Sequence, residues 1–467
     1  MYSRFFVAKA SLNDSLEKYE SIGNMKKLKY ILLLAALFAL GACQRSQEER
    51  NGILKVYNWA DYIDEDVLAE FPEWYKEQTG EDIEIIYQVF DINEVMLTKI
   101  ERGHEDFDVV CPSEYIIERM MRKDMLLPIN RNFGETPDYI PNLSPYIQDE
   151  LNKMSQGDKK VTDYAVAYMW GTAGTLYNTE LVTEEEALEC ANLWNPKFAN
   201  KILMKDSYRD CYGLSIIYAN KERIEKGEVT VEQLMNDNSQ EAIAKAEEYL
   251  KSLKPNIAGW EADFGKEMMT KGKVWMNFTW SGDAVWAIEE AAEVGVELDY
   301  VVPVEGSNVW FDGWVIPKYA RNVKAASYFI NYMCRPDIAL RNMDAIGYVS
   351  AVATPEILEE KIDTTLENYS DLSYFFGPEA DSVQVDPVQY PDKEVIKRCA
   401  VIRDFTSKED LQKVLEMWSR VKGDNLNTGI VLLIFAVFGG LFVWLIVSKV
   451  NKYRRKKHRK YYRKRRR

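Results

Sequence analysis

"ILKVYNWADYIDEDVLAEFPEWYKEQTGEDIEIIYQV", residues 53 to 89, carries the pattern that decides the fold. "ILKVY" is a short apolar strand, Asp64 suits the N-cap of a helix running to about residue 78, Gly80 ends that helix, and "IEIIYQV" is the next strand. A second helix over about residues 93 to 102 and a third strand, "FDVVCP", closed by Pro112, continue the alternation. Strands and helices alternating at this spacing predict an α/β fold with a parallel, doubly wound sheet and helices on both faces. Such sheets bind ligands beyond the carboxyl ends of their strands. Trp59 and Tyr62 follow the first strand, and Ser113, Glu114 and Tyr115 follow the third, so the two loops are expected to face one another across a cleft.

Beyond a polar, Pro-containing stretch at residues 136 to 158, "YAVAYMW" reads as a strand leading into a second lobe. "ILMKDSYRDCYG" is a strand, a polar turn and a helix, offering Asp206 and Asp210; "VWMNFTWSGDAVWAIEEA" is a strand and a helix from near Ser281, offering Trp280 and Asp283. "NVWFDGWVIP" reads as an extended crossing segment with Trp310 and Asp312, and "AASYFINYMCRPD" as an amphipathic helix beyond it. "GTAGT", residues 171 to 175, lacks a phosphate-loop fingerprint and reads as a close strand turn.

The length of 467 residues, with 47% apolar residues and 12% aromatics, suits two lobes plus appendages. The net charge of −15 is uneven: the last 19 residues carry 13 Lys or Arg and no acid, which leaves about −31 on residues 44 to 428. An acidic body argues against nucleic acid as a partner and permits a cationic one. "MKKLKYILLLAALFALGAC" has the basic, apolar and small-residue regions of an export signal, Met25 is a candidate start, and "LGAC" resembles a lipobox that would make Cys43 a lipidated residue. "GIVLLIFAVFGGLFVWLIVS", residues 429 to 448, is a 20-residue stretch without a charge and reads as a transmembrane helix. The basic tail, 449 to 467, would then stay cytoplasmic and the acidic body outside. Five scattered cysteines follow Cys43 without CxxC spacing, which suggests neither a disulfide framework nor a zinc site.

An aromatic beside an acid thus recurs in five loops, at Trp59 and Tyr62, Ser113 to Tyr115, Asp206 and Asp210, Trp280 and Asp283, and Trp310 and Asp312. Each ring alone reads as core, since Trp and Tyr bury large areas. Recurrence at strand ends favours a site: rings hold a methylene chain and attract an ammonium group, and carboxylates fix its charged ends. That combination suits an aliphatic polyamine better than a sugar or an anion. Catalysis is poorly supplied, with only His104 and His458 present and no GxSxG, HExxH or P-loop motif. A glycosidase pair would need two singled-out acids, and nothing in the spacing singles out a pair. No cofactor or metal is expected.

The motifs "VYNWADYI", "VFDINEVMLTKI", "FDVVCPSEY", "YMWGTAGTLYN", "WSGDAVW", "VWFDGWVIP", "NYMCRPDIA" and "IGYVSA" resemble, in order and spacing, the spermidine/putrescine-binding proteins of ABC importers, which have the type II periplasmic binding protein fold. The resemblance runs from about residue 54 to residue 423. It implies two lobes about a ligand cleft, the first from 52–163 and 312–350 and the second from 164–311 and 351–428, and an ABC permease as partner. It also implies that Trp59, Tyr62, Ser113 and Tyr115 line the pocket from the first lobe. Asp210 falls at a ligand-binding acid, Trp280 and Trp310 would sandwich the methylene chain, Asp312 would grip an ammonium group, and Tyr348 would close the pocket. Asp283 resembles the extra acid of the putrescine-preferring members. The chain departs from the pattern at Ala60, which removes a hydroxyl, at Glu114, which adds an acid, and at Ile402, where spermidine-binding relatives can offer a Gln. These differences tilt the expected ligand towards putrescine. A membrane-anchored sensor would bind the same amine, and an extracellular carbohydrate enzyme is the reading from a different class.

Overall fold

The computed structural model describes residues 50–423, except 263 and 406. The leader with Cys43, the apolar stretch 429–448 and the basic tail 449–467 lie outside the described residues. Among the described residues no helix is long and apolar enough to cross a membrane.

The first lobe is built as its sequence predicts. Strands β1 (Ile53–Trp59), β2 (Glu84–Phe90) and β3 (Val109–Val110) are parallel, with β1 between the other two. The helix between β1 and β2 spans Glu65–Thr79; its N-cap Asp64 accepts a hydrogen bond from the Asp66 amide, and Gly80 terminates it. The chain continues through β4 (Leu126–Leu127) into β5 (Ala165–Asn178), then β6 (Ile202–Lys205), β7 (Ile257–Glu261), β8 (Met276–Trp280), β9 (Leu298–Val301) and β10 (Asn308–Pro317). In the second lobe β6 is parallel to both β7 and β8.

The expectation of a parallel sheet fails at the two longest strands. β5 and β10 are buried along their whole lengths, pair antiparallel with each other, and run antiparallel to β8 and β3 respectively. They join the lobes in one path, β2-β1-β3-β10-β5-β8-β6-β7. Apolar runs mark such strands as buried but carry no information on direction. "GTAGT" is likewise no turn. It lies inside β5, and Gly171 is required there because a Cβ would stand 2.4 Å from Ser281 Oγ and 2.8 Å from the Trp310 ring.

Two large apolar cores flank the crossing strands. One gathers Val56, Phe71, Val109, Ile117, Trp314 and Phe329; the other gathers Phe198, Met204, Tyr212, Phe278 and Met417. Ile357, Leu372, Phe375 and Tyr390 pack in the first core, not in the second where the expectation for 351–428 had put them. The reason is aromatic: Phe375 stacks on Trp170 of β5, with ring centroids 4.8 Å apart. The lobes are also clasped by two ion pairs, the first buried and the second partly exposed at its arginine. Arg119, on the helix Glu114–Arg122, reaches Asp404 at 2.6 Å, and Arg403 reaches Glu118 at 2.7 Å.

A methyl group at position 171 has no room without moving Trp310, so Gly171→Ala is expected to lower stability by ~1–3 kcal/mol, the usual cost of overpacking a core. Urea denaturation followed by tryptophan fluorescence measures it, and an unchanged midpoint would show that the Trp310 contact yields freely.

Candidate binding site

Asp312 is placed by an irregularity in β10. The register against β5 shifts between Phe311 and Gly313, and Asp312 instead bridges Ser113 at the end of β3. Bulges of this kind re-aim a side chain beside a site. The Asp312 carboxylate is 7% exposed and accepts two hydrogen bonds, from Ser113 Oγ at 2.6 Å and from the Tyr62 hydroxyl at 2.9 Å. Asn93 donates to Ser113 Oγ at 3.0 Å, while Asn58 and the Tyr168 hydroxyl both donate to the Tyr62 carbonyl at 3.1 Å, so each donor is itself positioned. Among the described residues no lysine or arginine pairs with Asp312. Burial pushes its carboxyl up to about 6, against the opposing pull of Ser113 and Tyr62.

A chain of rings leads away from this carboxylate. Tyr62 meets Tyr348 edge-on with centroids 5.2 Å apart, Tyr348 meets Trp310 at 5.5 Å, and Trp310 meets Trp280 at 6.4 Å. Tyr348 lies directly on Gly282, where a Cβ would come within 2.3 Å of the ring. Trp280 ends β8, and its indole N–H donates to Asp210 Oδ2 at 3.3 Å; Asn308 Nδ2 donates to Asp210 Oδ1 at 2.9 Å. Asp210 sits in the first turn of the helix Tyr208–Tyr218, whose N-cap Ser207 accepts from the Asp210 amide. The rings meet edge-on, and a carboxylate stands at each end of the series, Asp312 at Tyr62 and Asp210 at Trp280.

The remaining expected residues divide. Glu114 is 2% exposed, and its only hydrogen bond among the described residues to another residue's backbone comes from the Phe311 amide at 3.4 Å. Burial, and then the nearby Asp312 charge, push its carboxyl well above the ordinary range. Tyr115 joins the first-lobe wall through Asn93 at 3.1 Å and Glu94 at 3.3 Å, and packs against the small apolar cluster that contains Ile402. Trp59 rests on Phe90 with centroids 4.6 Å apart and makes no hydrogen bond or ring contact with the Asp312 group among the described residues. Asp206 is exposed and pairs with Lys422 at 2.7 Å, away from the ring series. Asp283 accepts from the Tyr348 hydroxyl at 2.9 Å but is already paired with Lys205, whose ammonium is 2.6 Å away. Burial alone would raise the Asp283 carboxyl; Lys205 and then Lys266 outweigh it and hold the carboxyl below its ordinary value.

Sequence reasoning missed four participants. Lys205, Glu261, Glu94 and Tyr208 were not singled out. Tyr208, from the second lobe, donates to Glu94 of the first at 3.0 Å, a hydrogen bond across the cleft. Lys205 and Glu261 end adjacent parallel strands in register. A charged residue closing the apolar run "ILMK" was the one available signal. The assembled group is carboxylates, phenols and indoles, suited to holding an organic cation by non-covalent contacts; among the described residues no cluster of three metal-ligating side chains occurs.

Comparison with known proteins agrees with this picture. Residues 73–365 match the family described as bacterial extracellular solute-binding protein. The spermidine/putrescine-binding periplasmic protein of Escherichia coli is 28% identical over 374 residues, covering 80% of this chain and 92% of that protein. The putrescine-binding periplasmic protein PotF of the same organism is 30% identical over 341 residues, covering 70% and 86%. Among solved structures, the spermidine/putrescine ABC transporter substrate-binding protein PotD from Streptococcus pneumoniae superposes with a TM-score of 0.59 at 30% identity, covering 79% of this chain and 98% of that one. With a two-lobed α/β fold, a cleft of rings and carboxylates and a family match over residues 73–365, the chain belongs to the bacterial extracellular solute-binding proteins, which hold a solute and are not enzymes.

Proposed function

We propose that the protein is an extracytoplasmic receptor for a linear diamine or polyamine of the putrescine and spermidine class, delivering it to an ABC-type importer. The observation that carries this reading is Asp312, a buried carboxylate with two neutral donors and no cationic partner among the described residues, at the head of a series of aromatic rings. A buried anion of this kind is costly until a cation arrives. An ammonium group would be drawn to Asp312, the methylene chain would lie along Tyr348, Trp310 and Trp280, and the far end would meet Asp210. The similarity to the spermidine/putrescine-binding and putrescine-binding periplasmic proteins of Escherichia coli points the same way.

Tyr115, Ser113 and Tyr62 then act as the first-lobe wall, and Trp59 supports it from behind through Phe90. The residues that meet across the cleft belong to different lobes, so ligand binding and lobe closure are coupled. On sequence grounds the apolar stretch 429–448 anchors the receptor to the membrane, with the basic tail on the cytoplasmic side and a lipid on Cys43 as a second attachment. Tethering near a permease would raise the effective concentration of loaded receptor.

Calorimetric titration of the full-length protein with putrescine is expected to show one-to-one binding that survives high salt; weak heat that disappears with salt would mean that the acidic surface merely exchanges ions. Asp312→Ala should weaken that binding by ~2–5 kcal/mol, the range for removing one partner of a buried charge pair. Unchanged affinity would take Asp312 out of the site. The pH profile has a definite sign. Asp312 titrates at about 6 in the empty cleft, and an ammonium group favours its ionised form. Below that pH the ligand must displace a proton, so affinity should fall by up to about tenfold per pH unit, and this dependence should vanish above it. Titrations from pH 5 to 8 in the Asp312→Asn variant, which lacks the proton, should show that slope lost.

A further inference from the structure

Among the buried cations of the described residues, Lys205 stands against the ring series. Lys205, at the end of β6, is 1% exposed. Its ammonium lies 4.4 Å from the centroid of the Trp280 ring, 2.6 Å from Asp283 Oδ2 and 3.1 Å from Glu261 Oε1, and donates to the Ala262 carbonyl at 2.9 Å. An ammonium has three donors, and here they meet three acceptors. Burial opposes the charge, but the two carboxylates outweigh it and raise the lysine pKa. An indole face and a carboxylate are the contacts that a guest ammonium would make in this cleft, and the carboxylate is the one to which the Tyr348 hydroxyl donates. The acid that resembled a determinant of ligand preference is therefore already neutralised from within.

We propose that Lys205 is a tethered ammonium that permanently occupies one cation position of the cleft and so sets the length of ligand the protein accepts. Asp312 and the Asp210 side of the Trp280 ring remain for external ammonium groups, which suits a diamine. A triamine would bring its third charge against Lys205, where the carboxylates are already paired. The inference rests on the polyamine reading above and assigns Lys205 as its specificity-determining residue.

The experiment uses the full-length protein and its Lys205→Ala variant. Truncation at Cβ removes the equivalent of n-propylammonium, so that compound serves as a probe that does not depend on the natural ligand. It is expected to raise the melting temperature of Lys205→Ala by more than that of the wild type, in which only the Asp312 and Asp210 positions remain for it. In parallel, the ratio of putrescine to spermidine dissociation constants is measured by calorimetry. Wild-type discrimination against spermidine should relax by about tenfold or more in Lys205→Ala, which is about 1.4 kcal/mol. If the single variant does not fold, Lys205→Ala/Asp283→Asn, which removes a carboxylate together with its cation, must still relax the discrimination by about threefold or more. An unchanged ratio, or no stabilisation of the variant by n-propylammonium beyond that of the wild type, would overturn the role of Lys205. Failure of the wild type to bind any amine would instead overturn the receptor reading, and stabilisation of the variant by n-propylammonium would still identify the position as an ammonium site.

Discussion

The crossing of β5 and β10 is the constraint on which everything else depends. Both strands are buried from end to end, so their backbone groups must pair with neighbours and their register leaves little freedom. At the one place where that register slips, Asp312 leaves the ladder and is taken up by Ser113 and Tyr62. Two loops of the first lobe are thereby fastened to the strand that leads out of the second. A carboxylate so enclosed demands hydrogen bonds, and the Asn93, Asn58 and Tyr168 contacts exist to aim its donors. The same enclosure leaves Asp312 without a cation among the described residues, which is the property a receptor for amines needs.

Two acids bonded to the ring series, Asp312 through Tyr62 and Asp283 through Tyr348, differ in electrostatic state. Asp312 has neutral donors only, whereas Asp283 has Lys205 in contact and Lys266 at 3.6 Å. Burial acts on both carboxyls in the same direction, upward, and the cations reverse the outcome at Asp283 alone. Both acids accept from phenols of the same ring series, so the difference in charge, not in shape, separates a carboxylate with neutral donors only from one already paired. Glu114 lies between these extremes: its burial and its closeness to Asp312 favour the protonated acid in the empty cleft.

Contacts across the cleft bind the two lobes to one another. Tyr208 of the second lobe donates to Glu94 of the first, and Tyr115 approaches the same carboxylate oxygen from the first-lobe side. Farther from the ligand path, Glu118 and Arg119 hold Arg403 and Asp404 in a clasp. A buried ion pair contributes little net stability against a well-packed apolar alternative, but breaking one partner is costly. Its effect here is to define how the two lobes meet.

The strands and helices of the first lobe were legible in residues 53 to 110, because apolar period, the Asp64 cap and the Gly80 terminator are local properties of the chain. The same local logic found Tyr62, Ser113, Asp312, Trp310 and Trp280 as polar and aromatic groups in the strand-end loops, the family resemblance added Tyr348, and the structure brings these together. It did not find the antiparallel direction of β5 and β10, the glycine beneath Trp310, or the packing of Phe375 on Trp170, since strand direction and long-range fit have no local signature. Nor did it find that Asp283 faces Lys205, 78 positions earlier in the chain. By itself the sequence determined the α/β class, the residue types of the cleft and the kind of guest they suit. Only the tertiary structure decided which carboxylate is left without a cation and which is neutralised from within, because the charge state of a buried group depends on neighbours in space and on the water excluded around it.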